Sequence, residues 1–354
     1  MPKIQNKLLF IAPPVGHLGS GEGGGTESMI YNLSSELFKN GFKIDVLAPK
    51  GGAVKNLKAR LIQIPGDLEP NVFSVKKNSQ PKTQQNGVLK NMWAWALKHQ
   101  PNYSKIISFS YDRFSFEISK NFNTPIYHFI GVTALNKYTD KALKMEFLRH
   151  SERFAFMSKV QFKTFNLPRL KSSILGGGVS LKNFKFGKGG SGRLVFAARI
   201  SPEKNLEFAL KVAKKLNMPL DICGKAQDEK YYKKIVKNFP KKYFTYHGFL
   251  NTSQLSKVLR QAEVSLFAPK VVEAFALSAV ESLASGTPIA VFPNTGPAEI
   301  VETTKAGVVS QSKSLSHFAG AVLKAKKINR QFCRQAARCF EWKSFAKGIK
   351  MWIT

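Results

Sequence analysis

Short apolar runs alternate with helical patterns twice along these 354 residues, and a glycine-rich stretch separates the two series. In the first series, residues 8–12, 44–48, 61–64, 106–109, 126–130 and 154–157 are near-continuous apolar runs. In the second, 194–198, 220–223, 244–246, 264–267, 289–292 and 307–310 repeat the pattern. Runs of this kind without polar alternation read as strands buried on both faces, and helices between them imply parallel sheets. The sequence therefore predicts an α/β chain of two doubly wound, Rossmann-like domains. The expected divisions are an N-terminal domain over 1–178, a hinge over 179–192, a C-terminal domain over 193–330 and a terminal helix over 331–354. The domain boundary is read from the segment 176–192, which holds seven glycines and little periodicity.

Two helices carry explicit start signals. Over 26–40, Thr26 is the expected N-cap, Met29, Ile30, Leu33, Leu37 and Phe38 form an apolar face, and Asn40-Gly41 is a stop. Over 202–216, Ser201 is the expected cap and Pro202 the first residue, with Leu206, Ala209, Leu210, Ala213 and Leu216 as the stripe. By contrast, 69–88 is polar, turn-rich and aperiodic, and reads as a mobile surface loop.

Composition narrows the class. Cys223, Cys333 and Cys339 form no CxxC pair, which fits a reducing, cytoplasmic setting and no disulfide or zinc framework. The first apolar run is five residues long, too short for a signal peptide, and no run of 18 apolar residues exists. The net charge of +33 admits nucleic acid, an anionic membrane surface or a small anionic substrate as partner, but the lysines are spread along the whole chain and read first as a general compositional bias. No nucleic-acid-binding module is present, so nucleic acid is not expected.

Three stretches carry chemistry. In GHLGSGEGGGTE, Gly19, Gly21 and Gly24 satisfy G-x-G-x-x-G, and the loop opens a helix at which backbone amides and the helix dipole attract phosphate. Its length and the lack of an acidic residue closing the next strand disfavour NAD. A phosphate or substrate loop and a plain connection both remain. In FAARISPEKN, Arg199 and Lys204 are either a surface pair or a clamp around an anion. In VVEAFALSAVESLASGTPIAVFP, Glu273 and Glu281 are either an acid–base pair or two hydroxyl ligands. His128 is expected to end the strand in PIYHFIG and is either structural or functional, and His17 sits beside the glycine loop. No D-x-D and no histidine–carboxylate cluster occurs, so no metal site is expected.

The order of glycine-rich loop, ARISPEKN, E-x(7)-E, SGTPI and GPAEIV resembles the retaining glycosyltransferases of family 4, over nearly the whole chain. That resemblance implies the GT-B fold, with two Rossmann-like domains facing across a cleft and a last helix that crosses back to the N-terminal domain. It implies that Arg199 and Lys204 hold the donor diphosphate and that Glu273 binds the transferred sugar. Glu281 would bind the ribose, Gly24, Gly25, Ala276 and Leu277 would offer amides to the donor, and His128 would lie close to the reacting sugar. No cofactor is implied. Where the family carries glycine, this chain has Ala274 and Ala276, and Ala276 is expected to crowd the donor-binding backbone.

APPVGHLGSGEGGGTE, FSYDRF, APKVVEAFA and NTGPAEIV are also similar to the family's UDP-glucose:tetrahydrobiopterin glucosyltransferases of cyanobacteria. That likeness implies a UDP-glucose donor and a pterin acceptor. His17, Tyr111 and Asp112 are the candidate acceptor ligands: Tyr111 for ring stacking and Asp112 for the amino-pyrimidinone N–H pair. Equally, Asp112 could cap a helix and Tyr111 lie in the core. Family 4 transfer to a lipid or cell-surface polysaccharide at an anionic membrane is the alternative, with epimerase chemistry behind it.

Overall fold

A computed structural model describes residues 6–20, 24–70, 77–81 and 86–354. The chain divides into two compact units. The first is Met1–Gly176 together with Trp342–Thr354, and the second is Gly177–Glu341.

The first unit holds a seven-stranded sheet of β1 (Lys7–Ile11), β2 (Lys43–Pro49), β3 (Arg60–Ile64), β4 (Lys105–Ser108), β5 (Ile126–Ile130), β6 (Phe154–Phe156) and β7 (Ser173–Ile174), in the order β3-β2-β1-β4-β5-β6-β7. Every pairing is parallel. The second holds β8 (Leu194–Ala197), β9 (Leu220–Cys223), β10 (Phe244–Gly248), β11 (Val264–Phe267), β12 (Ile289–Val291) and β13 (Gly307–Val309), in the order β10-β9-β8-β11-β12-β13, again all parallel. Both orders reverse direction after the third strand in sequence. The switch points fall between β1 and β4 and between β8 and β11, where ligands of open parallel sheets bind at the strands' carboxyl ends.

The α/β, doubly wound fold class read from the sequence is thus the observed one, because the apolar runs are the sheets' buried strands. Only β7, two residues long, lacks an apolar run that could announce it.

The details differ in four places. The helix Gly25–Lys39 starts one residue before Thr26 and takes Gly24 as its N-cap, at φ 56° and with no side-chain cap. Helix 202–216 is broken. Pro202–Lys204 forms a single 3-10 turn, Asn205 turns left-handed at φ 63°, and the α-helix runs Leu206–Leu216. Residues 179–192, expected as a hinge, pack on the second unit instead. Gly187 N donates to Ser285 O at 3.1 Å, and a Cβ on Gly187 would meet Arg260 O at 2.4 Å. The terminal amphipathic stretch is two helices rather than one. Arg330–Ala336 belongs to the second unit and Trp342–Ile353 to the first, where Phe345, Ile349 and Trp352 are buried. Of the loop 69–88, residues 71–76 and 82–85 lie outside the described residues.

Arg330 and Arg334 tie the entering and leaving segments of the second unit. Arg330 donates to the carbonyls of Gly187, Arg260 and Ala262 and to Thr287 Oγ1, at 2.7–3.0 Å. Arg334 donates to the carbonyls of Leu181, Phe184 and Ala284.

Candidate functional site

In the second unit, the loops after β8 and β11 flank the switch point and are tied together. Asn205 Nδ2 donates to Ala268 O at 2.9 Å, and Lys270 N donates to Glu203 O at 2.9 Å. The left-handed Asn205 allows this by turning the 3-10 segment back before the helix starts. Gly224 lets the β9 loop approach from the other side, since a Cβ there would sit 1.9 Å from Ala198 O.

The candidate donor residues meet on these loops. Lys204 Nζ donates to Glu273 Oε2, each side chain 19% exposed. Arg199 Nη2 lies 3.7 Å from Glu203 Oε1, and Ser201 Oγ holds that carboxylate at 2.6 Å. The structure thus joins Lys204 to Glu273 directly, whereas the sequence left them as separate ligands. Ala276 is the N-cap of the helix Leu277–Ala284, at φ 65° and ψ 92° with no side-chain cap. The first-turn N–H groups of such a helix have no intrahelical partner and face an anion favourably. Leu277 contributes its backbone to that turn, while its side chain packs on Gly177.

Glu281, one turn into the helix, is half-buried and makes no side-chain hydrogen bond among the described residues. Burial pushes its carboxyl up to about 7. It stands apart from the Lys204–Glu273 pair in its chemistry: Glu273 is engaged by a cation, Glu281 is not. The loop before the next helix closes the site. Gly296 N donates to Glu273 O at 2.7 Å, and a Cβ on Gly296 would sit 2.2 Å from Ala274 O. Asn205 and Gly296 were not singled out from the sequence. Gly296 lies in the quoted GPAEIV motif, but only the backbone contact reveals its role.

In the first unit the outcome is mixed. Gly24 and Gly25 open a helix after β1, and Glu27 of that helix folds back to accept from Gly19 N at 2.7 Å. Gly21 lies outside the described residues. His17 lies on the same loop with its ring against Gly51, where a Cβ would come within 2.9 Å of Nδ1.

His128 is not at the strand end. It is the middle residue of β5, fully buried against Phe116 and Phe154, with Nε2 3.2 Å from Ser119 Oγ. Burial, with Arg153 and His150 nearby, lowers its pKa to about 3, so it is a neutral core residue. The end of β5 carries Gly131, whose Cβ would lie 3.8 Å from Thr26 Oγ1.

Tyr111 and Asp112 also serve the fold. The Tyr111 hydroxyl donates to Asp140 Oδ1 at 2.5 Å and accepts from Leu135 N and Asn136 N, so its ring is core. Asp112 caps the helix Arg113–Ile118 by accepting from Ser115 N at 2.6 Å and from Ser115 Oγ. Burial raises its carboxyl to about 6. Near it, Glu69 has a buried Oε1 with no hydrogen-bond partner among the described residues, and burial together with the Asp112 charge raises its pKa. Glu69 was missed because it stands in an aperiodic stretch. Among the described residues no group of three His, Cys, Asp or Glu side chains could hold a metal ion.

Comparison with known proteins places this geometry. Residues 181–339 match the family model described as glycosyl transferases group 1. A glycosyltransferase of Methanocaldococcus jannaschii, itself described as uncharacterised, is 26% identical over 134 residues, 36% of this chain and 34% of that protein. The chain therefore spans about a third of that relative's length. Among solved structures, sucrose-phosphate synthase from Thermosynechococcus elongatus superposes with a TM-score of 0.79 at 14% identity, over 98% of both chains. HepE of Anabaena, crystallised with UDP and glucose, gives 0.75 at 12% identity over 98% of both chains. The avilamycin glycosyltransferase AviGT4 gives 0.70 at 15%, over 98% of this chain and 96% of that one. These likenesses establish two Rossmann-like domains of the GT-B fold, and the match to the group 1 glycosyltransferases spans nearly all of the second unit.

Proposed function

We propose that the chain transfers glucose from UDP-glucose to a small reduced pterin, with retention at the anomeric carbon. The observation that carries the donor half is the Lys204–Glu273 pair beside the helix that starts after Ala276, at the β8/β11 switch point. A diphosphate competes with Glu273 for Lys204 and gains the helix N-terminal amides. The displaced carboxylate then turns to the sugar hydroxyls, and Glu281 accepts from the ribose diol. HepE of Anabaena, crystallised with UDP and glucose, supports a uridine donor.

No protein nucleophile is assigned. The acceptor oxygen forms its bond to the anomeric carbon on the face from which the phosphate leaves, the bond to the phosphate oxygen breaks, and the acceptor proton passes to that departing oxygen. Arg199 and Lys204 stabilise the charge growing on UDP, which lowers the barrier rather than merely tightening binding. The acceptor half rests on the sequence likeness to the pterin glucosyltransferases. Because Asp112 and Tyr111 are engaged in the fold, Glu69 is the better candidate for the pterin N–H edge.

The test is mass spectrometry after incubation with UDP-glucose and an acceptor panel that includes tetrahydrobiopterin, followed by NMR of the anomeric proton. A hexose adduct on the pterin with the donor's anomeric configuration supports the whole reading. UDP release without any adduct overturns transfer, and an adduct on another acceptor overturns only the pterin.

A further inference from the structure

The helix Lys137–His150 of the first unit sorts its side chains by charge. Both of its acids are engaged by the fold: Asp140 accepts from the Tyr111 hydroxyl, and Glu146, 5% exposed, pairs with Arg149. Its outward stripe contains no acid. Lys137, Lys141, Lys144, Met145 and Leu148 are all exposed, and they fall at i, i+4, i+7, i+8 and i+11, one line along a helix. Met145 is 59% and Leu148 50% exposed, and Lys141 and Lys144 enter no ion pair among the described residues. At the helix's carboxyl end, Lys120, Arg149 and Arg153 line a small recess.

Cations interleaved with large apolar side chains suit one kind of partner. A phosphate backbone would satisfy the lysines but leave Met145 and Leu148 against polar groups. An anionic lipid surface takes both, with lysines among the headgroup phosphates and the apolar side chains just beneath them. No helix among the described residues is long and apolar enough to cross a membrane, so the contact is peripheral. We propose that the Lys137–His150 face docks on an anionic bilayer.

The chain supplies its own comparator. In the helix Trp342–Ile353, Lys343, Lys347, Lys350 and Met351 repeat the same spacing, all exposed, but the position equivalent to Leu148 is Thr354. The second apolar anchor is missing there.

Co-sedimentation with vesicles of equal parts phosphatidylglycerol and phosphatidylcholine, and of phosphatidylcholine alone, tests the proposal. The full chain is expected to bind only the anionic vesicles, less strongly as salt rises. Lys141→Gln/Lys144→Gln lowers the partition coefficient about thirtyfold, at about 1 kcal/mol per lysine. Lys347→Gln/Lys350→Gln, with the same loss of charge, leaves it within about threefold. Met145→Ser/Leu148→Ser removes the binding that survives at high salt. All six positions are exposed, and thermal unfolding verifies that each variant folds. Equal losses from both lysine pairs would show general charge attraction and overturn the docking face. So would unchanged binding by Met145→Ser/Leu148→Ser, or no binding by the unaltered chain at low salt. Loss of duplex DNA retention in Lys141→Gln/Lys144→Gln with intact vesicle binding would give the face to nucleic acid instead.

Discussion

Ala276 holds a backbone conformation that an alanine resists. At φ 65° its Cβ crowds the following carbonyl, a strain of about 1–2 kcal/mol for an L-residue. Ala276→Gly relieves it, while the added freedom of glycine in the unfolded chain returns about 0.4–1 kcal/mol. The net gain is about 1 kcal/mol. For a unit of this size that is a rise of roughly 2–4 °C in Tm, read by calorimetry or circular dichroism. The neighbouring departure from the family pattern is an internal control. Ala274 has no positive φ and is 7% exposed, so Ala274→Gly loses a buried methyl worth about 0.8 kcal/mol as well as chain entropy, and lowers Tm. Opposite signs for the two substitutions are the expected outcome. If Ala276→Gly lowers Tm as Ala274→Gly does, the strain argument is wrong and the methyl is well accommodated.

Other perturbations probe the same loops. Lys204→Ala is expected to lower kcat by about two orders of magnitude, the scale of one lost oxyanion donor, and a near-normal kcat would remove Lys204 from the reaction. Glu281 keeps its proton in the folded state up to about 7, against an ordinary value of 4.5, so the folded chain binds more protons than the unfolded one in that window. Its contribution to stability is therefore complete below about 4.5 and lost as pH rises through about 7. Glu281→Gln should flatten that slope in Tm-versus-pH scans, and an unchanged slope would show that the carboxyl is well solvated. Arg330→Ala leaves three carbonyls and a hydroxyl without their donor, and should cost about 3 kcal/mol in denaturant unfolding. A loss under about 1 kcal/mol would mean that water replaces the guanidinium.

The strands were legible because parallel sheets buried on both faces leave apolar runs that nothing else in the sequence imitates. What a residue does at a strand's end was less legible. His128 and Gly131 stand three positions apart in PIYHFIG, and only the pairing of His128 with Phe154 shows that the histidine is mid-strand. Tyr111 and Asp112 follow β4 at the switch point, but their polar atoms are claimed by Asp140 and Ser115, partners too far or too ordinary in sequence to suggest themselves. Lys204 and Glu273 were each legible as polar residues on a ligand loop. Their pairing was not, because it depends on Asn205 turning left-handed, which Ser201-Pro202 led one to read as helix. The glycines of 176–192 suggested a hinge by composition, yet seven glycines do not say which carbonyls they will approach, and Gly187 packs on Arg260 and Ser285. Ala276 is the reverse case: the family pattern flagged it from sequence, and its positive φ supplies the reason.

The route of the chain makes the second unit an insertion within the first. Trp342–Ile353 comes last, after all of Gly177–Glu341, and its Phe345, Ile349, Trp352 and Ile353 are buried in the unit that began at the N-terminus. During synthesis the unit whose sheet is made first therefore receives its covering helix only after the second unit has been made. The second unit emerges whole and can close its own core while the first still shows water the apolar surface reserved for the final helix. Vulnerability to aggregation and proteolysis is thus concentrated in the first unit, for as long as the ribosome takes to deliver all of Gly177–Glu341 and the helix that follows it.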